Sequence, residues 1–300
     1  NTCPRSAEYY LVNRREAPTS EALVFGGAVH KGLEHYYLHE DLESVFTSIY
    51  DHFAKNPPAS ITYRTPERAV ELLELYMSRY PREQEPFKIL VDKDSKPFVE
   101  VPFRVPMGMK KVRNAIPYPE ALIVEDGDPD KPSVYVNTLH FMWTGKIDMV
   151  VQDQSDKIWI LDHKTTSIAG PTFYDQFILA QQMMGYTYAT SYMLEHPCAG
   201  LFLNALVCRK PTKTGKGFEF HRQKFPYHQD HINEWKRDVL AIANDFVNHL
   251  VAGYFPKVTA WCMGKYGKCK YHETCMLQPD QRMMMLQSSN YSPVTWSPLD

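Results

Sequence analysis

Apolar residues between Leu23 and Glu40 recur at helical spacing, with Phe25, Val29, Leu33, Tyr36 and Tyr37 on one stripe, which predicts an amphipathic helix. A shorter helix is expected over Ser6 to Asn13. Asp41 to Lys55 continues the helical layer until Pro57 and Pro58 break it. Pro66 then opens a helix over Glu67 to Arg79, a position that proline tolerates. The period changes to two at Phe98 to Val105, a strand. Val134 to Val151 resumes the sheet, and Lys146 to Val151 and Lys157 to Leu161 read as a hairpin around the polar turn Gln-Asp-Gln-Ser-Asp. Beyond it the pattern predicts a long helix from about Phe173 to Leu194, strands at Gly200 to Cys208 and Phe218 to Phe225, and a helix over Gln229 to Val251. This order of elements indicates an α/β or α+β core with a mixed sheet.

Carboxylates interrupt that sheet. Asp148 breaks the apolar run Ile147, Met149, Val150, Val151, and Asp162 follows directly on Ile158 to Leu161. An acid beside a strand core is costly unless it is paired or holds a metal. Asp162 and Lys164, two apart on an extended chain, leave on the same face and aim a carboxylate and an ammonium at one point. The three residues suggest a metal-dependent phosphodiesterase site, with a salt-bridged strand end as the plain alternative. Glu100, the acid inside the Phe98 to Val105 strand, reads as a polar-face residue turned to solvent, with an accessory carboxylate as the other reading. His30, beside Gly26, Gly27 and Ala28 on the first long helix, reads by itself as a satisfied core or surface histidine. Gln182 and Tyr186, four apart, share a helix face where an amide and a hydroxyl can hold the strand end, a water or a phosphate.

The charges nearly balance, at −2 over 300 residues, so any nucleic acid must be gripped locally rather than by a broad basic face. No run approaches the roughly 18 apolar residues that cross a bilayer, and the opening Asn-Thr-Cys-Pro carries no apolar signal segment. The expectation is a soluble intracellular protein. The polar, proline-containing stretch Lys110 to Ser133 reads as an excursion between strands that could flank a substrate channel.

Three cysteines, Cys262, Cys269 and Cys275, fall within fourteen residues of a Gly- and Lys-containing loop. Metal ligation is a better account of them than disulfides, since nothing points to an oxidising compartment. The fourth ligand would be Cys3, at the other end of the chain, or His272 in a zinc site. Four thiolates hold zinc or an iron–sulfur cluster, and spacing does not choose between them.

Together these residues resemble the RecB-type branch of the PD-(D/E)XK nuclease superfamily, and more narrowly its iron–sulfur members among AddB-like, CRISPR-adaptation and phage exonucleases. The likeness rests on Cys3-Pro4, Gly26-x-x-x-His30, Gly145-x-x-Asp148, Asp162-x-Lys164-Thr165, Gln182-x-x-x-Tyr186 and the terminal cysteines, six motifs in the family's order. Six residues separate Cys262 from Cys269, where many relatives have two.

The resemblance implies a restriction-endonuclease-like core in one nuclease domain over 1–300, with a helical subdomain at 26–82, a catalytic sheet at 97–225 and a cluster loop at 257–280. It implies a DNA exonuclease acting on ends or single strands. His30, Asp148, Asp162 and the backbone carbonyl of His163 would bind Mg²⁺ or Mn²⁺, Lys164 would be catalytic, and Gln182 and Tyr186 would position it. A [4Fe-4S] cluster on Cys3, Cys262, Cys269 and Cys275, or structural zinc in its place, would staple the chain ends. A non-catalytic DNA clamp, or a subunit of a larger recombination or repair machine, is the alternative. No Gly-x-x-x-x-Gly-Lys-Ser/Thr loop is present, so unwinding would come from a helicase partner.

Overall fold

The computed structural model describes residues 3–58, 60–113, 136–213, 215, 217–264 and 267–294. In chain order the helices are α1 (Pro4–Ala7), α2 (Glu21–Tyr37), α3 (Leu42–Lys55), α4 (Pro66–Arg79), α5 (Pro171–Asp175), α6 (Gln181–Leu194), α7 (Gln229–Ala252), α8 (His272–Met276) and α9 (Pro279–Gln287). The strands are β1 (Arg15–Glu16), β2 (Phe87–Ile89), β3 (Val99–Arg113), β4 (Val136–Asp153), β5 (Ile158–Thr166), β6 (Cys198–Cys208), β7 (Phe218–Pro226), β8 (Met263–Gly264), β9 (Gly267–Lys268) and β10 (Ser292–Pro293). Most of the excursion expected at Lys110 to Ser133 lies outside the described residues; residues 110–113 close β3.

The chain divides into two compact units. The larger comprises Thr19–Val105 and Trp143–Lys236 and holds the central sheet, in the order β2-β4-β5-β6-β7 with β3 also paired to β4. The sheet is mixed: β4–β5 and β6–β7 are antiparallel, whereas β5 and β6 run parallel. This is the mixed α/β architecture of a restriction-endonuclease-like fold.

Helix α2 forms because its apolar residues fall on one stripe, burying Val24, Phe25, Ala28, Val29, Leu33, Tyr36 and Tyr37. Asp41 caps α3 by accepting the Ser44 N–H at 2.7 Å, and Thr65 caps α4 with Pro66 in its first turn. These helices pack on one face of the sheet, against Met149, Val151, Trp159, Leu161, Phe202 and Leu206. Each fully buried aliphatic side chain there contributes about 1.5–3 kcal/mol. Helix α6 packs along β5 and β6.

One expected helix is divided. Instead of running from 173 to 194, the chain makes the single turn α5 and starts α6 only at Gln181, with Ala180 extended. The Tyr227 hydroxyl donates to the Phe177 carbonyl, the group that a continuous helix would offer to residue 181. Phe177 itself is buried against Phe225, so burying that ring and bonding its carbonyl outweigh helical continuity.

The smaller unit comprises Asn1–Pro18, Pro106–Met142 and Arg237–Ser297. Its chain ends meet: β1 pairs with β10, and the Arg5 N–H donates to the Pro256 carbonyl at 3.2 Å. Tyr9, Tyr271, Leu286 and Tyr291 form a buried cluster, with Cys269 and Cys275 packed against it. No described helix is long and apolar enough to cross a membrane.

Candidate metal and phosphodiester site

Strands β4 and β5 stay in register from Gln152↔Ile158 to Met149↔Leu161, and there their ladder ends. β5 continues alongside β6 as far as Thr166↔Val207. Asp148 and Asp162 are the first residues past the fork. The Asp148 carboxylate turns into it and accepts the backbone N–H of His163 at 2.8 Å. From α2, His30 brings Nδ1 to 3.3 Å from the same carboxylate oxygen. The helix can come this close because Gly26, one turn earlier, faces β5: a β-carbon there would stand 3.0 Å from Thr165 Oγ1.

The third member is Glu100. The ligand atoms of His30, Glu100 and Asp148 all lie within 4.8 Å of one another, the one such group of three among the described residues. The reading of Glu100 as a solvent-facing residue is therefore corrected. Its backbone sits at φ +51°, a conformation costly for a residue with a side chain, and this turns the acid inward from a strand whose alternation would send it to the polar face. Nearby, Lys146 Nζ is 3.9 Å from its carboxylate.

Asp162 lies outside that triad. Its side chain is 2% exposed and paired with Lys164, Nζ to Oδ2 at 2.6 Å. Gln182 donates to the Tyr186 hydroxyl at 2.9 Å, and Tyr186 lies close enough to Lys164 and Asp162 to interact with their charges. Gly145 leaves room for this ring, since a β-carbon there would meet Phe103 at 2.9 Å and Tyr186 at 3.2 Å.

The electrostatics follow from burial and crowding. Burial and the neighbouring charges of Asp148 and Glu34 push Glu100 up to about 7. Burial, reinforced by Asp148, pushes Asp162 up to about 6 against the pull of Lys164. Burial opposes charge on Asp148 too, but His30 outweighs it and holds the carboxyl well below the usual range. For His30 burial works against the proton, and Asp148 reverses it, raising the ring to about 9. Lys164 is likewise held protonated by Asp162 and Asp148 against burial. Two carboxylates and an imidazole converging on one point form a donor set suited to a hard divalent cation. Beyond burial, the upward push on Glu100 comes from like-charge repulsion, and such a cation would relieve it.

His163 turns its ring away from Asp162 and Lys164 and is buried, which lowers its pKa to about 3. The ring stacks on Tyr37, centroids 5.9 Å apart, and meets His30 edge-on at 5.9 Å. The family resemblance implies only a backbone role for this residue; its side-chain partner Asn204, with Tyr76, Arg222 and Glu85 behind it, emerges from the fold. The signal available was Asn204, an amide inside the apolar strand Gly200 to Cys208.

The predicted cysteine set is gathered in the smaller unit. The Cys269 N–H donates to the Cys262 carbonyl at 2.9 Å, while Cys3 and Cys269 both lie near enough to Cys275 to raise its pKa, after burial. None of the four forms a disulfide.

A family model described as the PD-(D/E)XK nuclease superfamily matches residues 1–276. No curated protein matches the chain. Among solved structures, one titled "Crystal structure of SSO0001" is similar at 12% identity, covering 76% of this chain and 77% of that one, with a TM-score of 0.24. Because the family model matches more than nine-tenths of this chain, with Asp148, Asp162 and Lys164 assembled at the strand fork, the chain belongs to the PD-(D/E)XK nuclease superfamily.

Proposed function

We propose that this protein is a Mg²⁺- or Mn²⁺-dependent DNA exonuclease that trims ends or single strands. One observation carries the reading: His30, Glu100 and Asp148 converge at the β4–β5 fork beside the Asp162–Lys164 pair. His30, Glu100 and Asp148 hold the cation, with Asp162 and the His163 carbonyl alongside. The bound cation supplies Lewis acidity and neutralises charge at the scissile phosphate. Lys164, kept protonated by its acidic neighbours, acts as a fixed cation for the charge that builds on the phosphorus-bound oxygens, and so is no general base. Asp162 aims that ammonium. Tyr186 and Gln182 offer a hydroxyl and an amide to the DNA backbone and to Lys164. DNA held in a confined groove fits the near-neutral net charge, and a helicase or recombination partner would supply the single strand.

Cys3, Cys262, Cys269 and Cys275 extend the proposal to a [4Fe-4S] cluster that staples the chain ends. Zinc is the alternative occupant, distinguished by iron analysis and visible absorbance of anaerobically purified protein. A single zinc ion would draw all four sulfurs to within about 4 Å of one another, given Zn–S bonds of about 2.3 Å.

The deciding experiment digests DNA labelled at either 5′ or 3′ ends, single- and double-stranded, with Mg²⁺, Mn²⁺ or chelator. The expectation is cation-dependent release of labelled products that Asp162→Asn slows by about 10²–10³. Absence of cleavage from cation-loaded wild type would leave the DNA-clamp reading in its place.

A further inference from the structure

We infer that Asn204 is a positioning residue that fixes His163 in one tautomer and thereby sets the metal site; the inference rests on the function proposed above. His163, Asn204 and Arg222 are register partners on β5, β6 and β7, so the three side chains form one row across the sheet. Asn204 and His163 are 0% and 3% exposed. The Arg222 Nε–H donates to Asn204 Oδ1 at 3.3 Å, and Asn204 Nδ2 stands 2.7 Å from His163 Nδ1 and 2.8 Å from the Tyr76 hydroxyl. The far end is anchored by Glu85, which accepts two bonds from the Arg222 guanidinium, at 2.5 and 2.8 Å.

The row admits a single donor order. A guanidinium donates and never accepts, so the Asn204 oxygen must face Arg222. The amide NH₂ therefore faces His163, whose Nδ1 must be unprotonated to accept it. The proton of this neutral ring is left on Nε2. So fixed, the ring buttresses His30 edge-on, and the His163 backbone keeps its N–H on Asp148. The row thus orients two residues of the cation site without touching cation or DNA.

The test combines ¹⁵N NMR of histidine-labelled protein with calorimetry of Mn²⁺ binding, on wild type and Asn204→Asp. Wild type is expected to show His163 protonated on Nε2. Asn204→Asp keeps the shape and the bond from Arg222 but cannot donate; His163 should then move its proton to Nδ1, and Mn²⁺ affinity should fall about 10- to 100-fold. A role confined to stability would leave the tautomer unmoved. Wild-type His163 protonated on Nδ1 overturns the inference without any variant. A folded Asn204→Asp protein with unaltered tautomer and affinity overturns it alone, whereas wild type that takes up no Mn²⁺ overturns the parent reading and, with it, the site this row would serve.

Discussion

Asp148 takes the backbone N–H of His163 at 2.8 Å, a side-chain carboxylate standing one step past the last paired residues of β4 and β5. The site is thus made by the ending of a ladder. Where two strands part, backbone groups lose their partners, and a side chain that replaces one is held as firmly as the strand itself. His30 meets the same carboxylate from α2, so helix and sheet share one acceptor. Removing Asp148 would leave the His163 N–H and the His30 ring without it, and its loss should disturb the fork as well as the chemistry.

Lys164 should behave differently. Its side chain is 30% exposed and its ion pair is with the neighbouring Asp162 on the same strand, so Lys164→Ala should leave the fold intact while cutting DNA cleavage by about 10²–10³, the usual cost of losing one stabiliser of transition-state charge. Asp162→Asn should match it in activity. In the metal-free protein at pH 7, however, that variant should melt no lower than wild type, because burial raises the Asp162 pKa and so makes its ionised form a cost to folding above the unfolded value near 4. Thermal melts with chelator alongside cleavage rates separate the two effects. An Asp162→Asn protein that melts well below wild type would show the buried carboxylate to be a structural asset.

Glu100 joins backbone strain to ligand placement. Glu100→Ala and Glu100→Gly both remove the carboxylate and should weaken Mn²⁺ binding alike. They should differ in stability: at φ +51° alanine keeps the left-handed strain that glycine lacks, so the glycine variant should be the more stable by about 1 kcal/mol. Denaturant titration of the two metal-free variants reads this difference directly. Equal midpoints would mean that the backbone relaxes once the acid is gone.

Much of this site was legible in the sequence because its parts are local. Asp-x-Lys puts a carboxylate and an ammonium on one face of a strand, and Gly26 and His30 share a helix through simple periodicity. What was hidden depends on register and on single backbone angles. Glu100 turns inward through one positive φ, where alternation alone would face it outward. Asn204 and Arg222 become functional neighbours only because β5, β6 and β7 pair in one particular alignment. The break between α5 and α6 comes from the Tyr227 hydroxyl, fifty residues away in sequence from the carbonyl it holds; no local pattern encodes it.

The buried pair behind the site gives a stability prediction. Glu85 and Arg222 side chains are 3% and 10% exposed, and Arg222 also stacks over the Tyr80 ring at 3.7 Å. Glu85→Gln removes the countercharge and strands a guanidinium that cannot shed its proton. The expected cost is about 3–5 kcal/mol, read as a shift in the denaturant midpoint. The double variant Glu85→Gln with Arg222→Met should recover part of that loss, since no uncompensated charge remains. A single variant as stable as wild type would mean that the tyrosine hydroxyls and the ring beneath Arg222 suffice to hold it.

Cation uptake should depend on pH with a definite sign. In the metal-free protein Glu100 and Asp162 stay protonated up to about 7 and about 6, and His30 up to about 9. All three must lose their protons to act as ligands or to adjoin the cation as carboxylates. Below pH 6 a cation therefore has to displace protons from both acids and the imidazole; by pH 8 only the imidazole proton remains. Affinity for Mn²⁺ should climb most steeply below pH 6, and the climb should slacken between pH 6 and 8 as the number of protons released per ion falls from three towards one. Calorimetry in two buffers of different ionisation enthalpy measures both quantities. Glu100→Gln should flatten the upper part of the rise and His30→Gln should remove the proton released at pH 8, whereas an affinity constant from pH 5.5 to 8 would mean that the ion is bound without these three residues.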